Sequence, residues 1–134
     1  MRNLSHRFTE PVTDWKVGHA PGNNTRATAT KAAVTAPVGG YNICTALSVS
    51  FVASSTAPTA VNVTVAVIDG ASDATDYLWG PHDISLPAVA GAMNGFALSN
   101  LWIKGSATKA MTIEFSAAGG NNTKASVWMS GTVQ

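Results

Sequence analysis

Charge is what this chain has least of. Of its 134 residues only 11% are Asp, Glu, Lys or Arg, against roughly 25% in ordinary soluble domains. The formal net charge is +1, so no global electrostatic case exists for nucleic acid or for an anionic membrane as partner. Cysteine is nearly absent. Cys44 stands alone, which excludes an intramolecular disulfide and points to a chain made and folded in a reducing cytoplasm, because secreted domains of this size more often carry a pair. No apolar run reaches the roughly 18 residues that a membrane-spanning helix needs. The first ten residues, Met-Arg-Asn-Leu-Ser-His-Arg-Phe-Thr-Glu, lack the apolar core of a signal peptide. The sequons at Asn3, Asn23, Asn62 and Asn121 then reflect only how common Asn and Thr are here.

Catalytic chemistry is missing in the same way. His6, His19 and His82 are scattered, and none has a Ser, Cys or carboxylate at motif spacing. His82 and Asp83 are adjacent in an extended stretch, so they point to opposite faces and make no catalytic couple. No glycine-rich phosphate cradle exists, since Gly119-Gly120 alone reads as a turn. Asp69, Asp73 and Asp76 form the one carboxylate cluster. Their spacing could wrap calcium, but it does not match an EF-hand, and turn-favouring Asp explains it without a metal. We assign no catalytic residue, no metal site and no cofactor, and read the chain as a non-enzyme.

What is present is a period of two. In residues 60–70, Val61, Val63, Val65 and Val67 fall on one face of an extended chain and Asn62, Thr64 and Ala66 on the other. That is a half-buried strand, and each buried valine contributes about 1.5–3 kcal/mol before entropy is charged against it. Asp69-Gly70 stops the run. Residues 41–54 alternate likewise, with Ile43, Thr45, Leu47, Val49 and Phe51 inward and Cys44, Ala46, Ser48 and Ser50 outward. Residues 109–117 place Met111, Ile113 and Phe115 inward. Residues 123–133 place Ala125, Val127, Met129 and Val133 on one side and Ser126, Trp128 and Ser130 on the other. Residues 23–35 read as an edge strand guarded by Arg26 and Lys31. Shorter strands are expected at 77–79, broken by Gly80-Pro81, and at 82–86, 95–98 and 100–104. About eight strands with no credible helix predict an all-β fold, an eight-stranded jelly-roll β-sandwich, with an immunoglobulin-like sandwich as the alternative.

Residues 1–22 show neither period and read as an extended N-terminal arm ahead of a sandwich domain over 23–134. Arg2, Arg7 and Lys16 against Glu10 and Asp14 make the arm mildly basic. Phe8, Val12, Trp15 and Val17 are its apolar anchors and the expected partner-binding residues, either on the arm's own domain or on a neighbour. Tyr77, Trp79, Trp102 and Trp128 could form an aromatic platform for a sugar. Trp128, Trp102 and Trp79 are therefore the candidate oligomer or ligand contacts. Trp128 leads because alternation sets it on the outer face between two serines. The stretches 22–28 and 120–126 match in pattern, which shared Gly/Asn turn chemistry explains without duplication.

The runs Thr28-Ala-Thr-Lys-Ala-Ala, Asn42-Ile-Cys-Thr-Ala-Leu-Ser-Val-Ser-Phe, residues 65–70 with Leu78-Trp79, and Ala110-Met-Thr-Ile-Glu-Phe-Ser-Ala-Ala-Gly-Gly-Asn resemble small proteins encoded in tailed-phage genomes and prophages. The resemblance covers most of residues 23–134 and lies in strand and turn patterns rather than in a chemical signature. It implies a virion structural component, either a capsid decoration (cement) protein or a head or tail accessory protein. It further implies a homo-oligomer, typically a trimer, located on the virion and partnered by the major capsid protein, with no nucleic acid and no membrane involved. The alternative is a carbohydrate-binding module of a phage fibre or tail accessory protein, using Trp79, Trp102 or Trp128 with Asp69, Asp73 and Asp76 around a calcium ion.

Overall fold

A computed structural model describes residues 13–19, 30–53, 61–70, 76–116 and 123–134. Nine strands follow one another: β1 (Thr13–His19), β2 (Thr30–Val34), β3 (Asn42–Ala53), β4 (Val61–Asp69), β5 (Tyr77–Leu86), β6 (Met93–Leu98), β7 (Ile103–Lys104), β8 (Met111–Phe115) and β9 (Thr123–Val133). There is no helix among the described residues.

Their pairing is nested. β1 pairs with β9, β2 with β8, β3 with both β6 and β7, and β4 with β5, all antiparallel. β6 lies against residues 47–52 of β3 and β7 against Ile43 and Cys44, so the two occupy one strand position in two pieces. β9 also pairs with β3, and β8 with β4. The result is two sheets, β1-β9-β3-β6 and β2-β8-β4-β5. A long antiparallel hairpin rolled up in this way is a jelly roll with eight strand positions. In an immunoglobulin-like order the first two strands share a sheet, whereas β1 and β2 here lie in different ones.

The core lies between the sheets. Val63, Val65 and Val67 of β4, Met111, Ile113 and Phe115 of β8, Leu47 and Val49 of β3, and Ala125, Val127 and Met129 of β9 form one contiguous buried cluster. These are the inward positions that two-residue periodicity predicts.

Three local features depart from the sequence reading. The expected arm contains a strand: Thr13–His19 is β1, an edge strand registered from Thr13↔Val133 to His19↔Val127, and Trp15 and Val17 pack against the core of their own domain. Phe8 and Val12 lie outside the described residues. Second, Gly80-Pro81 does not break the chain into two strands, because β5 runs through it. β5 is the edge of its sheet, where a proline's missing N–H costs no ladder bond. Gly80 takes φ +79°, and a Cβ there would sit 2.7 Å from the Val65 carbonyl oxygen. Third, alternation in β3 resets. Cys44 faces Gly131 and Ala46 faces Ser130, so Thr45 is an extra, unpaired residue. A bulge of this kind shifts the side-chain phase by one. Cys44 is therefore fully buried in the core cluster rather than outward, and Thr45, expected inward, is only half-buried.

The outer face of the second sheet is also drier than expected. Ala66, Ile68 and Thr112 are buried there, with the Thr112 hydroxyl donating to the Gly70 carbonyl at 2.8 Å.

Candidate functional site

Two surfaces stand out, one on a sheet and one at an end of the sandwich. The first is the outer face of β1-β9-β3-β6. Strand register fixes its rows: Gly18, Trp128, Ser48 and Ala97 lie across it side by side, and Lys16, Ser130 and Ala46 form the next row. Nearly every side chain here is small and uncharged, so the backbone forms a shallow floor from which one large group rises. Trp128 is 39% exposed. Its indole lies over Gly18, where an added Cβ would fall 1.9 Å from the ring. The Lys16 ammonium stands 5.4 Å from the ring centroid, within cation–π range. Trp128, Lys16, Ser48, Ser130, Ala46 and Ala97 line a cleft of about 420 Å³ that reaches Ser99 and the β6 strand.

The second surface is the end that carries the β2–β3 and β7–β8 connections, the last residue of β4 and the first of β5. It is organised around buried Asn42. The Asn42 side-chain amide NH2 donates to the carbonyls of Thr35 at 3.0 Å and Lys109 at 3.1 Å, and the Asn42 main-chain carbonyl accepts from the Gly105 N–H at 2.9 Å. The Tyr41 N–H donates to the Gln134 carbonyl at 2.6 Å, and the Gln134 N–H returns to Tyr41 at 3.0 Å.

Asp69 belongs to this cap. It is 6% exposed and accepts from the Ser106 N–H at 2.9 Å and the Ser106 hydroxyl at 2.5 Å. Lys109 Nζ lies 3.6 Å from it and 3.9 Å from Asp76. Burial alone would raise the Asp69 pKa, but the two Ser106 hydrogen bonds and the Lys109 charge outweigh burial and hold the carboxyl below its ordinary value. Asp69 and Asp76 thus share a lysine. Asp73 lies outside the described residues, and among the described residues no group of three or more His, Cys, Asp or Glu side chains could hold a metal ion. This end exposes Val38, Tyr77 at 52% and Trp102 at 62%. Lys104 Nζ sits 3.9 Å over the Tyr41 ring.

The aromatic candidates are not brought together. Trp79 is half-buried on β5 of the other sheet, packed on the core, with ring centroids 4.4 Å from His82 and 5.9 Å from Phe96. Trp102 is exposed but does not line the Trp128 cleft. Sequence reasoning found Trp128 and its flanking serine Ser130. It missed Lys16 and Gly18, because β1 was hidden in a stretch with no clean period. It also missed Asn42, whose burial no local pattern announces. Cys44 is no nucleophile: burial pushes its thiol up to about 11, where it stays protonated at neutral pH.

No family model matches the chain, and no curated protein matches it either. Among solved structures it is similar to CBM4, a carbohydrate-binding module, at 16% identity and TM-score 0.37 over 85% of this chain and 66% of that one. It is also similar to CBM28, a carbohydrate-binding module specific for non-crystalline cellulose, at 13% identity and TM-score 0.37 over 91% and 74%. The third is the coat protein of Tobacco streak virus, at 11% identity and TM-score 0.36 over 91% and 88%. At this level none of the three bears on function, and the fold rests on the strand order itself.

Proposed function

We propose that this protein works by contact rather than by catalysis, as a virion structural protein: a capsid decoration protein that seats on the outer shell and stabilises it through subunit contacts, as a homo-oligomer. The observation that carries this reading is the cap. Loops are ordinarily the mobile part of a sandwich, yet here Asn42, Asp69 and the paired Tyr41–Gln134 backbone tie them together. That stiff end presents Val38, Tyr77 and Trp102 to its surroundings. Large apolar groups on a pre-organised surface lose little entropy when covered, and aromatics of this kind dominate protein interfaces. β1 also begins at this end, at Thr13↔Val133, and Phe8 and Val12, outside the described residues, are the further anchors this reading assigns to a neighbouring subunit.

Charge is scarce in the chain as a whole, and at this end Lys109 is paired with Asp69 and Asp76, which suits interface centres depleted in free charge. Symmetry would then multiply a modest contact into stable decoration. The major capsid protein is the partner this reading names, and the virion is the place. The test is co-sedimentation of the purified chain with shells of the major capsid protein. Binding that falls at least tenfold in Trp102→Ala, with melting unchanged, supports it. Failure to sediment, together with a monomer in light scattering, contradicts it.

A further inference from the structure

The Trp128 cleft is separate from the apolar end, and its chemistry is different. Three hydroxyls face it, those of Ser48, Ser99 and Ser130, and none makes a hydrogen bond among the described residues. This is not the rule on this sheet: one row on, Ser50 Oγ and Ser126 Oγ bond each other at 2.7 Å. The cleft therefore holds unspent hydroxyl donors and acceptors around an exposed indole. It has no carboxylate, and its one charge is Lys16, which makes no ion pair among the described residues.

We propose that this cleft binds a pyranose sugar, with Lys16 placed to receive one that bears a carboxylate. A pyranose offers an apolar C–H face and a rim of hydroxyls. The indole of Trp128 matches the face, as aromatic side chains with a wet edge do at mixed surfaces, and the serines match the rim. The small residues Ala46 and Ala97 let a ring settle onto the floor, and about 420 Å³ is within the range of small-ligand sites. Other occupants fit less well. A purely apolar ligand would bury three hydroxyls without partners, which is costly. A peptide strand needs a free sheet edge, and β9 and β3 beneath the cleft are paired on both sides. A nucleic acid needs several cations, and the cleft has one.

Gly18 is the residue that permits the site. Because it has no Cβ, the indole can lie across β1, with the Lys16 ammonium 5.4 Å from the ring centroid as the group a bound sugar would meet beside the ring. Gly18→Val would push the ring off its seat without touching the serines.

The experiment is binding of the full chain to a printed array of neutral and carboxylate-bearing oligosaccharides at low ionic strength, repeated with Trp128→Ala, Ser48→Leu (which fills the cleft), Lys16→Ala and Trp102→Ala. The expected result is binding to carboxylate-bearing pyranosides that drops at least tenfold in Trp128→Ala and Ser48→Leu and is untouched by a chelator. Lys16→Ala weakens it and removes the preference for the carboxylate. Trp102→Ala leaves it intact, which separates this site from the shell-docking end. Melting curves of each variant confirm the fold. An array on which the wild type binds nothing overturns the proposal, as does binding that survives both cleft variants. Binding confined to neutral sugars overturns the role of Lys16.

Discussion

Asp69 and Cys44 are both buried titratable groups, and their surroundings push them to opposite ends of the pH scale. The Asp69 carboxylate is held ionised by Ser106 and Lys109. Its folded pKa lies below the ordinary 3.8, so its stabilising effect is present above that value and is lost as pH falls through the lower folded one. Asp69→Ala leaves two Ser106 donors without an acceptor and is expected to cost about 1–3 kcal/mol in denaturant unfolding at neutral pH. The loss should shrink in acid, and an equal loss at both pH values would contradict the ion-pair account. Cys44 runs the other way. Its thiol is raised from 9.0 to about 11, so the folded state binds the proton more tightly and stability drains away as pH rises between those values. Native protein should not react with a thiol reagent at pH 8, whereas unfolded protein should react fully. Rapid reaction of the native state would mean that Cys44 is outward after all. Asn42 belongs with these two. Asn42→Leu strands the Thr35 and Lys109 carbonyls and should cost about 1–3 kcal/mol, read as a lower midpoint in urea with an unchanged slope.

Strands whose inner faces carry Val, Ile, Met or Phe at every second position were legible from sequence: of the residues that alternation selects, Val63, Val65 and Val67 of β4, Met111, Ile113 and Phe115 of β8, and Ala125, Val127 and Met129 of β9 are buried in the core, while Val133 is half-buried. What periodicity could not show was where the period slips or where pairing replaces pattern. The Thr45 bulge moves Cys44 from the outer face to the core, and nothing in the local sequence marks a bulge between small residues. β1 carries Lys16 and Gly18 on its outer side and only Trp15 and Val17 inside. It becomes a strand because β9 offers it a ladder from Val127 to Val133, which is long-range information. Gly80-Pro81 looked like a stop but is tolerated because β5 is an edge. A truncation series tests the reassigned boundary. Removing residues 1–12 should leave the melting temperature within a few degrees of the full chain. Removing residues 1–19 takes away β1 and the Trp15 anchor, and should cost at least about 3 kcal/mol, the scale of losing one core aromatic. Equal melting of the two truncations would contradict the place of β1 in the sandwich.

The molecule as a whole is a β-sandwich with little charge, one stiff end and one hydroxyl-lined cleft. Of the candidate surface, the sequence announced Trp128 and Trp102 but not their separation, because a period of two assigns faces and says nothing about which ends of which strands meet. The separation matters, since it gives the molecule one end where Val38, Tyr77 and Trp102 are exposed and a different surface at Trp128. The central claim is that the chain acts through the cap end, and hydrogen exchange on the protein free and seated on shells of the major capsid protein reads that end directly. The account predicts that protection rises in the cap, over residues 35–41 and 101–110, and does not change over the opposite-end loop at residues 87–92. Uniform exchange in both states, or protection confined to the opposite end, would contradict it.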